Sequence, residues 1–353
     1  KLKNFSDKLS QYLEGNKNLQ SDVKKYVQNW IKDGLTDWDI TRDISWGIPI
    51  PIDGENEKVF YGWFDNHLAY ISSTIKFLND NGKDGKKFWN ESDIYHFIGK
   101  DIVYHHYLFL PAMRLGIGEE YKLPDYMPTR GHLTLQSRKI SKSRNWYVGL
   151  KDFLEIFPAD YLRFYLVSIN SYSQDDLNFN WDEFATKINS ELIGNLGNLV
   201  NRALGFTVKS FNSIIPGPDE FDDMDKESEK MIKEFVSHLS VLMEENHLDR
   251  ALKKILQFSA HFNQYFQHKE PWKNGPGTNS CVFLSVNAVR SLAIAIYPFL
   301  PESSQKIWLQ LGLDGDVSTQ PFDEISSITL KQGHNIGTIS PLFEKVDESV
   351  IEE

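Results

Sequence analysis

The sequence contains a single cysteine, Cys281, among its 353 residues. One thiol excludes an intrachain disulfide framework and a zinc ribbon, since both need several cysteines. No His-Glu-x-x-His pattern occurs either, and His105-His106 is the only pair of adjacent histidines. We therefore expect no metal site in this chain.

The common glycine-rich phosphate motifs are also missing. Neither Gly-x-Gly-x-x-Gly nor Gly-x-x-x-x-Gly-Lys-Ser/Thr occurs, and the glycines of the segment 81–85 predict a turn. This argues against dinucleotide oxidoreductases and P-loop enzymes. The longest apolar runs, such as the one at 292–300, are too short and interrupted to cross a bilayer, so we expect no membrane association.

Positive charge is scarce overall but concentrated in one window. The chain has a formal net charge of -11, so contact with a nucleic acid must come from local patches. Residues 126–151 contain no acidic residue. The basic residues of this window are Arg130, Arg138, Lys139, Lys142, Arg144 and Lys151. A solvated surface loop is the ordinary explanation, whereas the alternating Lys139-Ile140-Ser141-Lys142-Ser143, with glycines on both sides, favours a mobile loop that closes on phosphates.

The first part of the chain has an α/β pattern. Periodic apolar residues predict helices over 5–34, and short apolar stretches at 59–64, 94–98 and 127–135 predict strands. Helices are predicted between them at 68–78 and 102–115, the second with Asp101 as its cap and a kink or break at Pro111. This order indicates parallel strands with helical crossovers, as in half of a doubly wound sheet. Ligands bind at the carboxyl ends of such strands, so we expect sites at 63–65, at 99–101 and before the lysine loop.

After Gly149 only helical periodicity remains, apart from a connector at 175–181. Two apolar stripes, one over 192–206 and one over 248–266, predict a bundle of roughly four or five helices. The predicted fold class is thus α/β plus all-α, an incomplete Rossmann-like parallel sheet followed by a helical bundle. We expect four regions, 1–150, 151–185, 186–311 and 312–353, the last an irregular tail that packs back on the body and frays near Val350.

Four motifs carry a resemblance to a known family. They are Trp38-Asp39-Ile40-Thr41-Arg42, Phe60-Tyr61-Gly62-Trp63-Phe64-Asp65, Phe97-Ile98-Gly99-Lys100-Asp101-Ile102 and the lysine loop 139–143. Taken together they resemble the methionyl-tRNA synthetases, which are class I aminoacyl-tRNA synthetases, in their archaeal and eukaryotic branch. Ile140 stands where the signature loop of the family has methionine. The likeness covers nearly the whole chain.

The resemblance implies an ATP-dependent ligase, cytoplasmic, that uses ATP with Mg²⁺, methionine and tRNA and passes through methionyl-adenylate. Matching positions imply three catalytic residues, Lys142, Lys139 and Arg42. The residues that match the ATP-binding positions of the family are Gly99, Asp101, Leu133, Lys139, Ser141 and Lys142. Those that match the methionine pocket are Trp63, Tyr70, Ile102 and His106. Those that match the anticodon-reading positions are Asn198, Arg202 and Trp272, in what would be an anticodon-binding bundle.

Each of these residues also has a structural explanation. Arg42 could pair with a neighbouring aspartate, Trp63 and Tyr70 could be core aromatics, and His106 could be a satisfied histidine on a helix face. In the bundle, Arg202 could be a solvated charge and Trp272 a cap on the helices.

The sequence also departs from the family. Asn66-His67 replaces the common Ala-Pro, and Leu110 stands where an aromatic residue closes the pocket. The His-Ile-Gly-His element and the zinc-bearing insertion are missing, so we expect a piece covering the carboxyl-terminal two thirds of an enzyme, poorly active alone. Two alternatives stay open: a non-catalytic tRNA-binding module, and a class I synthetase for leucine, isoleucine or valine. The sequence specifies no oligomeric state.

Overall fold

The protein is described here by a computed structural model that covers residues 1–54, 57–118 and 120–347. Its contacts divide the chain into two units, Lys1–His132 and Leu133–Glu353, which we call unit 1 and unit 2. Each unit has its own hydrophobic core.

Unit 1 begins with the two helices predicted over 5–34. A 3₁₀ turn, Leu2–Phe5, leads into α1 (Ser6–Gly15), and α2 (Ser21–Asp33) follows. The residues Leu9, Leu13, Val23 and Val27, spaced four apart on each helix, are fully buried, which explains why this periodic sequence is helical. Gly34 ends α2 with a positive φ of 100°, a backbone conformation that glycine adopts without a steric cost.

The first predicted strand is shorter than its sequence suggests. β2 (Val59–Phe60) pairs antiparallel with β1 (Thr41–Arg42), and the chain then enters α3 (Gly62–Asp80). The prediction of a strand up to Phe64 was wrong because His67, Ile71 and Leu78 must share one buried helix face. Trp63 therefore lies in the first turn of a helix and not at a strand end.

The other two predicted strands pair in parallel. β3 (Ile98–Gly99) lies beside β4 (Thr129–Arg130), and the parallel bridge between Tyr95 and Tyr126 extends the pair. The pairing and its helical crossover were predicted, whereas the paired segments are shorter than expected and β2 belongs to a separate pair.

The crossover of unit 1 is an unusual helix. A 3₁₀ turn (Lys100–Ile102) and a π-helix (His105–Phe109) precede α5 (Leu110–Gly116), while α4 (Gly85–Glu91) precedes β3. The predicted cap at Asp101 was wrong, because Gly99 holds the N-cap position and Asp101 lies inside the first turn. Pro111 stands in the first turn of α5, directly after the π-helix. Phe109 and Leu110 keep helical dihedral angles, so the helix continues there with a change of type from π to α and is not split.

Unit 2 opens with a three-stranded sheet. β5 (Leu133–Leu135) lies between β6 (Arg138–Lys139), which is antiparallel, and β7 (Leu177–Phe179), which is parallel. The strand predicted over 127–135 is thus two strands, interrupted at Gly131-His132. The predicted connector at 175–181 contains β7.

The remainder of unit 2 is helical, as predicted. The elements are a 3₁₀ turn (Lys142–Arg144), α6 (Leu150–Ile156), α7 (Ala159–Ile169), α8 (Trp181–Lys187), a π-helix (Ile188–Gly197), α9 (Asn198–Phe211), α10 (Asp223–Glu244), α11 (Leu248–Lys269), a 3₁₀ turn (Pro271–Lys273), α12 (Thr278–Ile296) and α13 (Pro301–Gln310). Small parallel sheets followed by a helical bundle confirm the predicted fold class.

Helix α12 forms the centre of the bundle. By length and composition alone it could cross a membrane, contrary to the sequence argument that every apolar run is too short. Its apolar window is 94% buried inside the bundle, as in the core helix of a globular protein.

The segment after α13 has two 3₁₀ turns, Val317–Thr319 and Phe322–Ser326, and otherwise irregular backbone up to residue 347. It lies on the bundle through buried side chains such as Ile336 and through backbone hydrogen bonds that join Ile215 to the segment 333–334. The predicted fraying near Val350 lies outside the described residues.

Candidate functional site

A cluster of aromatic and imidazole rings lies between α3 and the crossover of unit 1. Helix α3 carries Trp63, His67 and Tyr70 at spacings of four and three, so the three side chains share one face. The π-helix presents His105 and His106 to that face: the rings of Trp63 and His105 stack with centroids 4.8 Å apart. Trp63 is 37% and Tyr70 42% exposed, so the cluster is open on one side.

Hydrogen bonds connect three of the predicted methionine-pocket residues. The hydroxyl of Tyr70 lies 3.2 Å from Nε2 of His106, and Nδ1 of His106 lies 3.1 Å from the carbonyl oxygen of Ile102. Because the neutral ring has one N–H, a proton on Nδ1 for Ile102 leaves Nε2 free to accept from Tyr70. Trp63 joins them through His67 and His105, so the structure brings all four predicted residues into one cluster.

Sequence reasoning missed three histidines of this cluster. His67, His96 and His105 contact the predicted residues through their rings. The signal that could have found His67 is its position four residues after Trp63 on a helix, which the strand prediction concealed.

Burial keeps these imidazoles neutral. Loss of water, and then the neighbouring His106, lowers the pKa of His67 and also that of His96 to about 3, while burial lowers the pKa of His105 and His106 as well. The fully buried guanidinium of Arg114 acts in the same direction on His67, His96 and His106. The cluster therefore presents uncharged rings at neutral pH.

This neutrality predicts a pH dependence of stability. An unfolded histidine titrates near its ordinary pKa of about 6.5. Below that pH, His67 and His96 therefore bind protons in the unfolded chain but stay neutral in the folded chain. Their contribution is present above about pH 6.5 and decreases as the pH falls. Between pH 7 and pH 6 we expect the free energy of unfolding to drop by about 1–2 kcal/mol from these two groups. Urea titrations of the wild type and of a His67→Gln/His96→Gln variant measure this, and an equal drop in both chains would contradict it.

Gly99 and Asp101, the predicted adenosine-binding residues of unit 1, are structurally coupled. Gly99 ends β3 and Asp101 lies exposed in the following 3₁₀ turn. A β-carbon on Gly99 would lie 2.5 Å from Oδ1 of Asp101. Because glycine has no β-carbon, residue 99 leaves free the space that the Asp101 carboxylate occupies.

Arg42 is held by its surroundings in unit 1. Its guanidinium lies 3.6 Å from the ring centre of Tyr61, and its Nη1 donates to the carbonyl oxygens of Thr41 and Asp39 at 2.7 and 3.2 Å. The arginine contacts the backbone of Asp39, which differs from the side-chain pairing considered above.

The lysine loop of unit 2 is a defined turn. β5 and β6 form a hairpin through Gln136 and Ser137, which both have positive φ values. Backbone hydrogen bonds of 2.8 and 2.9 Å then join Ser141 to Trp146 across the 3₁₀ turn. The indole of Trp146 donates to the carbonyl oxygen of Leu135 at 3.1 Å, which anchors the turn to the sheet.

The charged side chains of this loop face outward. Lys139, Lys142 and Arg144 are exposed, and within residues 120–347 no hydrogen bond or ion pair engages the ammonium of Lys139 or Lys142. The hydroxyls of Ser141 and Ser143 lie 3.2 Å apart at the start of the turn. Two exposed ammonium groups beside donor hydroxyls are suited to bind phosphate oxygens. Leu133, also in unit 2, pairs with Leu177 in the sheet.

A second polar cluster lies in the bundle and brings together the residues predicted to read an anticodon. The side-chain amide of Asn198 donates to Oδ1 of Asn263 at 2.8 Å. Arg202 donates to Gln267 at 2.8 Å and lies 5.9 Å from the ring of Trp272, which is 44% exposed. Asn198, Arg202 and Trp272 therefore belong to one continuous surface.

Asn263 and Gln267, which the sequence reasoning missed, hold this surface together. Asn263 also donates to the backbone and side-chain oxygens of Asn195 in the π-helix, at 2.9 and 3.2 Å. The sequence signal that could have found them is their spacing: Asn263 and Gln267 are four residues apart on α11, beside its buried apolar stripe.

A buried ion pair fixes the end of α11 next to this surface. Nζ of Lys269 lies 2.7 Å from Asp225 and 2.8 Å from Asp222 at the start of α10, and the hydroxyl of Tyr265 donates to Asp225 at 2.6 Å. The 3₁₀ turn that carries Trp272 begins two residues later.

Among the described residues, no group of three or more His, Cys, Asp or Glu side chains is arranged to hold a metal ion.

Comparison with known proteins identifies the family. The sequence model of the family described as tRNA synthetases class I (M) matches residues 1–204, and that of the anticodon binding domain of methionyl tRNA ligase matches residues 215–353. The methionine–tRNA ligase of Methanopyrus kandleri is 38% identical over 360 residues, covering 100% of this chain and 52% of the relative. That of Pyrococcus horikoshii is 38% identical and covers 99% and 50%.

Solved structures support the fold. The methionyl-tRNA synthetase of Mycobacterium tuberculosis in complex with methionyl-adenylate has a TM-score of 0.86 at 24% identity, covering 97% of this chain and 67% of that one. Its apo form has a TM-score of 0.83 at 23% identity, with coverages of 98% and 68%. The chain spans about half the length of the curated relatives that it matches. Since the first family model covers more than half of the chain, the resemblance found in the motifs is confirmed, and the chain belongs to the class I tRNA synthetases of the methionine type.

Proposed function

We propose that this chain provides the lysine loop, much of the methionine pocket and the anticodon-binding bundle of a cytoplasmic methionine–tRNA ligase. The observation that carries the proposal is the co-occurrence, in a chain of this family, of the aromatic and histidine cluster in unit 1 with the Asn198, Arg202 and Trp272 surface in unit 2. One recognises an amino acid and the other an RNA. A ligase that joins the two substrates needs both.

We assign the regions accordingly. Residues 1–150 form the second half of the catalytic domain, 151–185 the region that contacts the tRNA stem, 186–311 the anticodon-binding bundle and 312–353 a tail on the body. The contacts of the segment 333–334 with Ile215 support the last assignment.

The reaction has two steps. The methionine carboxylate attacks the α-phosphorus of ATP, which is bound with Mg²⁺, and pyrophosphate leaves. A hydroxyl of the terminal tRNA ribose then attacks the acyl carbon and AMP leaves. Because both partners of the first step are anions, catalysis depends on positioning and on positive charge placed at the phosphates.

The exposed ammonium groups of Lys142 and Lys139 supply this charge, with the Ser141 hydroxyl as a further donor. We assign Arg42 to the amino-acid end of the site; its guanidinium is held over the ring of Tyr61. We assign Gly99 and Asp101 to the adenosine, the carboxylate accepting from ribose hydroxyls. The family resemblance also assigns Leu133 to ATP binding.

The methionine side chain occupies the slot formed by Trp63, Tyr70, Ile102 and His106. Neutral rings suit this ligand, because a polarisable thioether gains dispersion contacts and a favourable sulfur–aromatic interaction. The hydrogen bonds from Tyr70 through His106 to Ile102 fix the ring orientations before the substrate arrives.

Gly99→Ala tests the adenosine assignment. The added methyl group forces the Asp101 carboxylate aside, while the backbone of Gly99, with φ at -82°, accepts alanine without strain. We expect KM for ATP to rise by roughly 3- to 30-fold, the equivalent of one or two weakened hydrogen bonds, with the melting temperature unchanged. Gly15→Ala, where nothing lies near an added methyl, is the matched control. An unchanged KM for ATP would remove Asp101 from the site.

The proposal as a whole is tested by amino-acid-dependent exchange of pyrophosphate into ATP. We suggest the assay on the full-length natural product that contains this chain, with methionine, leucine, isoleucine and valine. Exchange with methionine alone is the expected result. Exchange with none of them would favour a tRNA-binding module, and a preference for leucine, isoleucine or valine would overturn the choice of methionine.

A further inference from the structure

The tail that follows α13 holds both ends of the π-helix of unit 2. Near the start of this helix, the side-chain amide of Asn189 donates to the carbonyl oxygen of Val346, and its Oδ1 accepts from the N–H of the same residue, both at 2.9 Å. At the end of the helix, the ring of Phe343 lies against Gly197, where an added β-carbon would be 3.0 Å from Cδ2 of that ring. We call these two contacts the tail clasp.

The helix inside the tail clasp has an uncommon form. π-Helices are rare and mostly limited to a single turn, whereas this one covers ten residues. Because a π-helix has more residues per turn than an α-helix, a change of this segment to the α form would rotate the element that follows it. That element is α9, whose first residue is Asn198 and whose second turn carries Arg202. The form of the π-helix therefore decides where these two side chains point.

The same π-helix is joined to the anticodon surface through Asn195. Its side-chain amide donates to the carbonyl oxygen of Leu256 at 2.8 Å, and its backbone and side-chain oxygens accept from the amide of Asn263 at 2.9 and 3.2 Å. Oδ1 of the same Asn263 accepts from Asn198 at 2.8 Å. A continuous series of contacts thus leads from the tail clasp through the π-helix to the side chain of Asn198.

We propose that Asn189 and Phe343 are positioning residues for anticodon recognition, which act through the π-helix by fixing Asn198 in its binding orientation before the RNA arrives. A side chain that is already ordered binds more tightly, because little conformational entropy is lost on binding. The attraction of basic side chains for the RNA backbone does not depend on this orientation, since it arises from charge. The inference rests on the proposed function, because it assumes that the bundle reads an anticodon.

The test is the ratio of the affinities for a CAU transcript and for one with a swapped anticodon, measured by filter binding at fixed salt on the full-length product that contains this chain. We expect Asn189→Ala to lower this ratio by roughly 3- to 10-fold, the equivalent of one hydrogen bond to a base. Affinity for the swapped transcript should stay unchanged. A merely structural role of Asn189 would lower the melting temperature and leave the ratio as it is.

Asn287→Ala is the matched control. Asn287, on α12, makes the same pair of hydrogen bonds with the backbone of Leu330 in the tail, at 3.1 and 3.0 Å. The variant therefore loosens the tail at another helix and should leave the ratio unchanged. A second arm combines Asn189→Ala with Asn198→Ala. Because the effect of Asn189 passes through Asn198, the double variant should have nearly the ratio of Asn198→Ala alone.

A folded Asn189→Ala protein with the wild-type ratio would overturn the inference, as would an equal loss in Asn287→Ala or fully additive losses in the double variant. If Asn189→Ala does not fold, Phe343→Ala removes the other contact of the tail clasp and decides by the same ratio. If the wild type distinguishes the two transcripts and the variants do so equally well, only this inference fails. If the wild type itself does not distinguish them, the anticodon assignment of the proposed function fails with it.

Discussion

Replacing Lys142 by alanine is expected to lower the rate of methionine activation by roughly 10²–10³-fold, or about 3–4 kcal/mol of transition-state stabilisation. The side chain is exposed and engages no partner within the described chain, so its loss should not affect folding. Because the ammonium acts where charge accumulates on the phosphates, kcat for exchange should fall while KM for methionine changes little. Single-turnover formation of methionyl-adenylate by the full-length product measures this.

Lys151→Ala is the control for charge in the same basic window. Lys151 is exposed on α6 and lies 4.0 Å from Glu155, a surface pair of little energetic weight. The Lys151→Ala variant should retain the wild-type rate of methionine activation. If Lys142→Ala were as active as Lys151→Ala, the lysine loop would have no role in binding the triphosphate.

Replacing Trp272 by alanine is expected to remove most of the discrimination between a CAU anticodon and a swapped one. The half-exposed indole lies beside the Arg202 guanidinium and offers a face on which one splayed base can stack. Stacking on an aromatic side chain contributes about 1–3 kcal/mol per base, so tRNA affinity should fall by roughly 5- to 150-fold. Filter binding with the two transcripts at fixed salt measures it.

The matched control is Trp46→Ala, which removes an indole that is 87% exposed in unit 1. It should leave anticodon discrimination intact. Discrimination that survives in Trp272→Ala would mean that the bundle reads the tRNA elsewhere.

Local sequence determined much of the helical part of the fold. The stripes that include Leu196 and Phe262 have helical spacing, and burial of one face is enough to fix such segments. The family resemblance likewise named residues that the structure brings together: Tyr70 and His106 lie in one cluster, and Arg202 and Trp272 lie in another.

What the sequence did not reveal depends on contacts between distant residues. The strand β7 exists only because Leu177 pairs with Leu133, and α3 replaces a strand at Trp63 because its buried face extends to Leu78. The π-helices have no signature in residue type, although one of them places Asn195 against Asn263.

The turn before the lysine loop is another feature that the sequence alone did not predict. Gln136 and Ser137 both have positive φ values, without the glycine or asparagine that normally signals such a hairpin. The neighbouring hydrogen bonds, including one from the Gln136 N–H to the carbonyl oxygen of Phe179, hold the turn in place.

The most direct measurement is the charging of a methionine-accepting tRNA transcript with radiolabelled methionine by the full-length product that contains this chain. We predict esterified methionine on the transcript with its CAU anticodon and a large loss of charging when that anticodon is replaced. Tight binding of the CAU transcript without charging by any amino acid would contradict the account.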